Sequence, residues 1–208
     1  MRDTVHTPST DNEKAAEFFD KAAIEGIQRA GDALTGLFGR TVEAKHLGTE
    51  IVESVGSTEL VQEKPTDTHA AVGFLAIAGA EEIAGHGFVM LSQKSIDDLM
   101  GGFGLEPEPD GSLGEMGESM LREFANITAS SYLNAISDAI GKSLEPTPVS
   151  LNLIGSAEEA KMESYVMGDH PGIIFRCECV GESNVSEVAM LIVLGSSDIT
   201  ALIPAGGV

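Results

Sequence analysis

The sequence predicts a single α/β domain of the α+β kind, made of two pseudo-symmetric halves that share one six-stranded sheet with two long helices packed on it. Three observations predict it. The 208 residues are 42% hydrophobic and 22% charged, which is the composition of a soluble globular protein with room for a sizeable core. Two stretches, from Glu13 to Phe38 and from Glu115 to Ile140, carry helical periodicity. The order of patterns then repeats at an offset of roughly one hundred residues, the mark of an internal duplication. LFGRTVE, from Leu37, is echoed by AIGKSLE, from Ala139. AVGFLAIAG ends on Gly79 as IIFRCECVG ends on Gly181, and VMLSQKSIDDL, from Val89, is echoed by IVLGSSDITAL, from Ile192.

Taken in order, residues 1–12 are polar and read as a loose tail. The first repeat covers approximately 13–104. Phe18, Ala22, Ile27, Leu34 and Phe38 suit one face of its long helix, with Gly39 as the C-cap. Thr41 to Val55 reads as strand plus turn, and Ala71–Ile77 and Gly87–Leu91 as strands. Ser95 is expected to cap a short helix, SIDDLM, that closes on the glycines of GGFG. The acidic, glycine-rich GLEPEPDGSLGEMG is the joint, and the second repeat covers approximately 115–204. A three-stranded half would have open edges and a naked apolar face, so two halves are expected to complete one sheet.

The second long helix is not symmetrical in character. At 100° per residue Met120, Phe124, Ile127, Thr128, Ala135 and Ala139 form an apolar stripe. Opposite it Ser119, Glu123, Asn126, Ser130 and Asn134 recur at four- and three-residue steps. An ordinary solvated face is mostly Lys and Glu; short hydrogen-bonding groups around one acid suit a surface that meets something. Aligning Gly39 with Gly141 sets Lys21 opposite Glu123 and Ile24 opposite Asn126, so the first helix lacks the strip. Slipping that helix by four residues would recover Glu25 and Gln28, but breaks the match at the glycine cap.

Composition excludes several functions. Thirty-three acids against twelve bases give a formal charge of -21, which repels nucleic acid and anionic lipid. The longest apolar run, Ala71 to Ala80, is half of the ~20 residues a spanning helix needs, and the polar N-terminus has no signal-peptide core, so the chain is expected in the cytoplasm. Cys177 and Cys179, two apart on a strand, face the same way and suit buried thiols better than a disulfide. The five histidines show no metal-ligand spacing, and no metal site is expected.

Ser119, Glu123 and Asn126, followed by ITASSYLNAIS and EPTPVSL, resemble the CheC, CheX and FliY family of chemotaxis phosphatases, most of all CheC. The family signature is Ser or Asp, three residues, Glu, two residues, Asn, then a proline beyond the helix. Here that proline falls on Val149, with Pro146 and Pro148 just before it. The resemblance implies hydrolysis of the aspartyl phosphate on a CheY-like response regulator. Asn126 would position the attacking water and Glu123 would pair with the regulator's lysine, both in catalytic roles. Ser119 and Ser130 would contact the partner. It implies no cofactor held by this chain, with Mg²⁺ supplied by the regulator, a possible CheD-like deamidase as second partner, and a monomer or homodimer. The alternative is a non-enzymatic binding module of the chemotaxis or flagellar switch, either like the middle domain of the switch protein FliM or an adaptor that binds a CheD-like deamidase.

Overall fold

A computed structural model of the chain describes residues 10–52, 69–79, 83–106, 108, 112–153, 171–180, 185–194 and 198–205. The sequence expectations at 1–9, 53–55, 107, 109–111, Gly181 and 195–197 lie outside those residues.

Helix α1 runs Thr10–Phe38, starting inside the stretch expected as tail; Asp11 and Glu13 in its first turn complement the helix dipole there. Phe18, Phe19, Ala22, Ala23, Ile27, Ala30 and Leu34 are buried. Gly39, at φ +62°, takes the left-handed conformation that ends the helix, and its N–H donates to the Thr35 carbonyl at 3.0 Å. Strands β1 (Glu43–Val52), β2 (His69–Ala78) and β3 (Gly85–Ser92) follow. Helix α2 (Gln93–Phe103) is longer than SIDDLM, and its cap is Ser92, whose side chain accepts from the Ser95 N–H. Ser95 lies inside the helix, buried, and its hydroxyl donates to the Glu187 carbonyl at 2.8 Å. Of the GGFG glycines only Gly104 ends α2; Gly101 and Gly102 are helical.

Helix α3 (Gly114–Ile140) ends on Gly141 at φ +67°. Its buried face differs from the expected stripe. Leu121, Phe124, Ala125, Thr128, Ala129, Tyr132, Leu133, Ala135, Ile136 and Ile140 are buried, whereas Met120, Ile127 and Ala139 are half-buried. The face is wide because α3 packs against α1 on one side and against β3, β4 and β5 on the other, so one narrow stripe cannot describe it. At Gly26 the two helices pack backbone to backbone, with no room for a side chain. A Cβ on Gly26 would stand 3.0 Å from the Tyr132 Cα and 3.1 Å from the Ser131 carbonyl oxygen.

After α3 the chain forms β4 (Glu145–Pro146), β5 (Ser150–Leu153), β6 (Gly172–Val180), β7 (Val185–Leu194) and a 3-10 turn at Ile199–Leu202. All pairings are antiparallel, in the order β1-β6-β7-β3-β2-β4, with β5 also on β2. The fold is therefore α+β with a seven-stranded sheet: the sixth position holds two short strands where one was expected. Pro146 and Pro148 explain the break. Neither has an N–H to give, so this stretch fits only an edge. Between them Thr147 restores contact, donating its N–H to the Ala76 carbonyl at 2.8 Å and accepting from the Ala76 N–H through its hydroxyl at 3.0 Å.

Alternation along the strands splits their side chains between two clusters. Ala71, Leu75, Val89, Leu91, Ile173, Phe175, Cys177, Cys179, Val188, Met190 and Ile192 join the helices in the main core. Phe88, Met90, Ile174, Leu191 and Val193 form a second cluster on the sheet's other face. Deep in the main core Tyr132 stacks on Phe175 with centroids 5.1 Å apart. Beside that pair the His46 side chain is 5% exposed; its Nε2 lies 2.7 Å from Asp20 Oδ1 and 3.1 Å from Thr49 Oγ1, so the buried ring is satisfied from α1 and from its own strand. Burial pushes the Tyr132 hydroxyl and both thiols upward in pKa, Cys177 to about 12. Both cysteines are free and buried, as two inert small side chains would be.

Candidate functional site on the second long helix

Ser119 and Glu123 stand exposed on successive turns of α3, Asn126 and Ser130 follow half-buried, and Asn134 is exposed again. The strip inferred from spacing is thus on the accessible side of the helix, and its deepest member is the amide. Glu123 has no hydrogen bond or ion pair among the described residues. Glu115, Glu118 and Arg122, on the turns around it, are also exposed, so the neighbourhood is mainly acidic.

Asn126 is held in place. Its Oδ1 accepts from the Val149 backbone N–H at 2.7 Å, joining the helix to the segment that leaves it 23 residues later. That segment is itself fixed on β2, by Thr147 on one side and by β5 on the other, where Ser150 pairs with Phe74 and Leu151 with Gly73. The Val149 side chain is 4% exposed and sits over Gly73: a Cβ there would lie 2.7 Å from Val149 Cγ1. Sequence reasoning missed these two positions. The misplaced proline was the signal that the exit of α3 has its own chemistry, since valine brings an N–H that proline lacks.

The first helix presents a different surface. Lys21 pairs with Glu17 at 3.5 Å and Arg29 with Glu25 at 3.5 Å, both at i, i+4, and Ile24 is 46% exposed. Glu25 and Gln28, the slipped-register candidates, are exposed; Glu25 is engaged by Arg29, and neither faces an arrangement like that of Asn126 and Val149. Thr128 is fully buried on α3 and its hydroxyl has no partner among the described residues. No group of three metal-ligating side chains occurs among the described residues. No helix among the described residues is long and apolar enough to cross a membrane.

The arrangement can offer a partner one unpaired carboxylate and one anchored amide, a turn apart on a rigid helix. An amide both donates and accepts, and a carboxylate suits a cationic partner group. Neither the carboxylate nor the amide is itself an activated nucleophile.

Residues 116–148 match the sequence model of the CheC-like family, a span that takes in Ser119, Glu123, Asn126 and both prolines. No curated protein sequence matches the chain. Among solved structures, FliY of Thermotoga maritima is similar at a TM-score of 0.61 and 14% identity, over 95% of this chain and 96% of that one. FliM of H. pylori, solved in complex with SpeE, gives a TM-score of 0.62 at 11% identity, over 94% of this chain and 96% of that one. FliM of H. pylori solved in complex with FliG gives 0.59 at 10%, over 93% and 100%. At these identities the likeness is one of fold, extending from end to end. The CheC-like match thus falls on α3 and its exit, within a fold similar to those of FliY and FliM.

Proposed function

We propose that the chain is a phosphatase that hydrolyses the aspartyl phosphate of a CheY-like response regulator in chemotaxis signalling, in the cytoplasm. The observation that carries this reading is the pair Glu123 and Asn126, one exposed and one anchored, inside the segment matched by the CheC-like family. An acyl phosphate is already activated, and the regulator brings Mg²⁺ and a lysine to take up charge on the transferring group. What the second protein must add is an ordered in-line water. Asn126 supplies the group that holds it, and Glu123 pairs with the regulator's lysine and sets the docking register. Ser119 and Ser130 flank the pair along the same strip and contact the partner.

The single site follows from an unequal duplication. Exchanging β1 with β4/β5, β2 with β6 and β3 with β7 leaves the strand order unchanged, which supports two pseudo-symmetric copies. Both long helices also end on a left-handed glycine, Gly39 and Gly141. In the first copy the positions of Glu123 and Asn126 hold Lys21 and Ile24, which suit neither role.

Mixing the purified chain with a phosphorylated CheY-type regulator and Mg²⁺ tests the reading by phosphate release. Asn126→Ala should lower release by about 100-fold or more, the loss typical of a removed positioning group, with regulator affinity within about threefold. Glu123→Ala should lower both. Unchanged release from Asn126→Ala sinks the mechanism. Regulator binding with no phosphate release by the native chain would instead sustain the non-enzymatic reading, for which the FliM likeness offers the fold.

A further inference from the structure

The Asn126 amide is held one way round. We propose that Val149 and Gly73 form a seat that fixes it with its oxygen inward and its NH2 group outward, so that α3 acts on the attacking water as a hydrogen-bond donor. The inference rests on the phosphatase reading for its consequence, but the seat itself stands on geometry alone.

The Val149 N–H points at Oδ1 from 2.7 Å. Turning the amide over would set NH2 against N–H, losing the bond and leaving two half-buried donors facing each other. The backbone of Val149 cannot move away to relieve that clash. Thr147 is locked to Ala76 by two hydrogen bonds, Ser150 is paired with Phe74, and the Val149 side chain fills the space that Gly73 leaves by having no Cβ. Ala125, next to Asn126 on α3, closes the same pocket: a Cβ on Gly73 would lie 3.6 Å from its methyl group. A β-branched valine has little rotamer freedom with which to yield. Gly73 is therefore a positioning residue for Asn126 although it lies on β2 and touches no partner. Where the resembled family has proline at this place, no N–H would exist to hold the amide, so the seat is a property of this chain.

An outward NH2 donates to the water oxygen and leaves that oxygen's other lone pair free to attack phosphorus. As the new P–O bond forms, the bond to the regulator's aspartate breaks with its electron pair on the carboxylate, and both of the water's protons leave on the phosphate, which sheds one to solvent near neutral pH. The loose transition state of phosphoryl transfer needs little help from a base, so a donor suffices.

The test separates seat from donor by two readouts, amide hydrogen exchange at Val149 and phosphate release under a phosphorylated CheY-type regulator. Asn126→Asp keeps an acceptor and deletes the donor: Val149 protection should stay within about threefold of native while release falls about 100-fold or more. Asn126→Ala deletes both, and Val149 exchange should quicken by more than about tenfold. Gly73→Ala pushes Val149 off its seat: exchange should quicken similarly and kcat fall about tenfold with KM within about twofold, because the Glu123 contact is untouched. Val149 exchange as slow in Asn126→Ala as in the native chain would show that the bond is not held in solution. Native release from Asn126→Asp, or a native kcat in Gly73→Ala with Val149 protection lost, would remove the donor role. A native chain that released no phosphate would end the phosphatase reading, and the exchange series would still decide the seat.

Discussion

The two long helices occupy matching places and have nearly the same length, yet they treat their outward faces in opposite ways. On α1 Glu17 pairs with Lys21 and Glu25 with Arg29 along the helix, and Arg29 also reaches Asp138 of α3 at 2.9 Å. On α3 the corresponding strip carries an acid with no partner among the described residues and an amide whose oxygen is tied to another segment. Exposed i, i+4 pairs contribute little to stability, and each one neutralises its own two charges. A carboxylate left without such a pair keeps its full capacity to bind one. The difference teaches that two helices in matching places of one sheet can present quite different outward surfaces.

The inward faces show the same asymmetry, and they are where the comparison breaks most forcefully. Tyr132 on α3 is fully buried against Phe175, while α1 has only Ala30 at the corresponding place. Tyr132→Ala should destabilise the fold by about 3–5 kcal/mol in urea unfolding, by analogy with other large aromatic truncations in cores. A loss below about 1 kcal/mol would mean that α3 does not anchor the core as its burial indicates. The glycines of α1 sharpen the contrast within one helix. Gly26→Ala brings a methyl against the Tyr132 backbone and should cost about 1–3 kcal/mol. Gly36→Ala, with nothing within 4 Å, should stabilise by about 0.5–1 kcal/mol. Thermal melts of the pair should shift in opposite directions, and a shared direction would undo the crossing argument.

A further effect, of comparable size, is reached through pH. Burial raises the Cys177 thiol from 9.0 to about 12, so above the ordinary value the unfolded chain loses a proton that the folded chain keeps. The folded form then binds more protons than the unfolded form, and stability contributed by this group falls as pH rises from 9.0 towards about 12. The slope is at most ~1.4 kcal/mol per pH unit, so near pH 10 the loss is about 1 kcal/mol. Cys177→Ala should flatten the alkaline limb of the stability profile; an unchanged limb would place its cause elsewhere.

Much of the fold was legible because similar patterns recur along the chain and each helped to read the other. Both long helices, the paired strand runs and the glycine caps at Gly39 and Gly141 were readable from spacing, and a single shared sheet followed from the needs of open edges. The split of the edge into β4 and β5 was not, although Pro146 and Pro148 were in view, because strand patterns show which residues are extended and not which hydrogen bonds survive. The cap of α2 was misplaced onto Ser95 because Ser92 and Ser95 are both good N-caps, and only the burial of Ser95 beneath β7 decides between them. The wide inner face of α3 escaped a one-stripe reading because the helix has two neighbours. At the site, the outward strip was visible in the spacing of Ser119, Glu123 and Asn126. The seat was not, since it joins a helix to a residue 23 positions on and to a glycine on β2, and no local pattern encodes either contact.

The sheet also sets a timetable for synthesis. Strand β1 ends at Val52, but the strand it pairs with, β6, begins only at Gly172. At the usual ~5–20 residues per second the ribosome leaves that early edge uncovered for on the order of ten seconds, with its partner still unmade. Closing so distant a pair is slow even once the chain is released, because the entropy of the long loop must be overcome before any contact is gained. Through that interval the acidic character of the chain opposes contact between newborn copies.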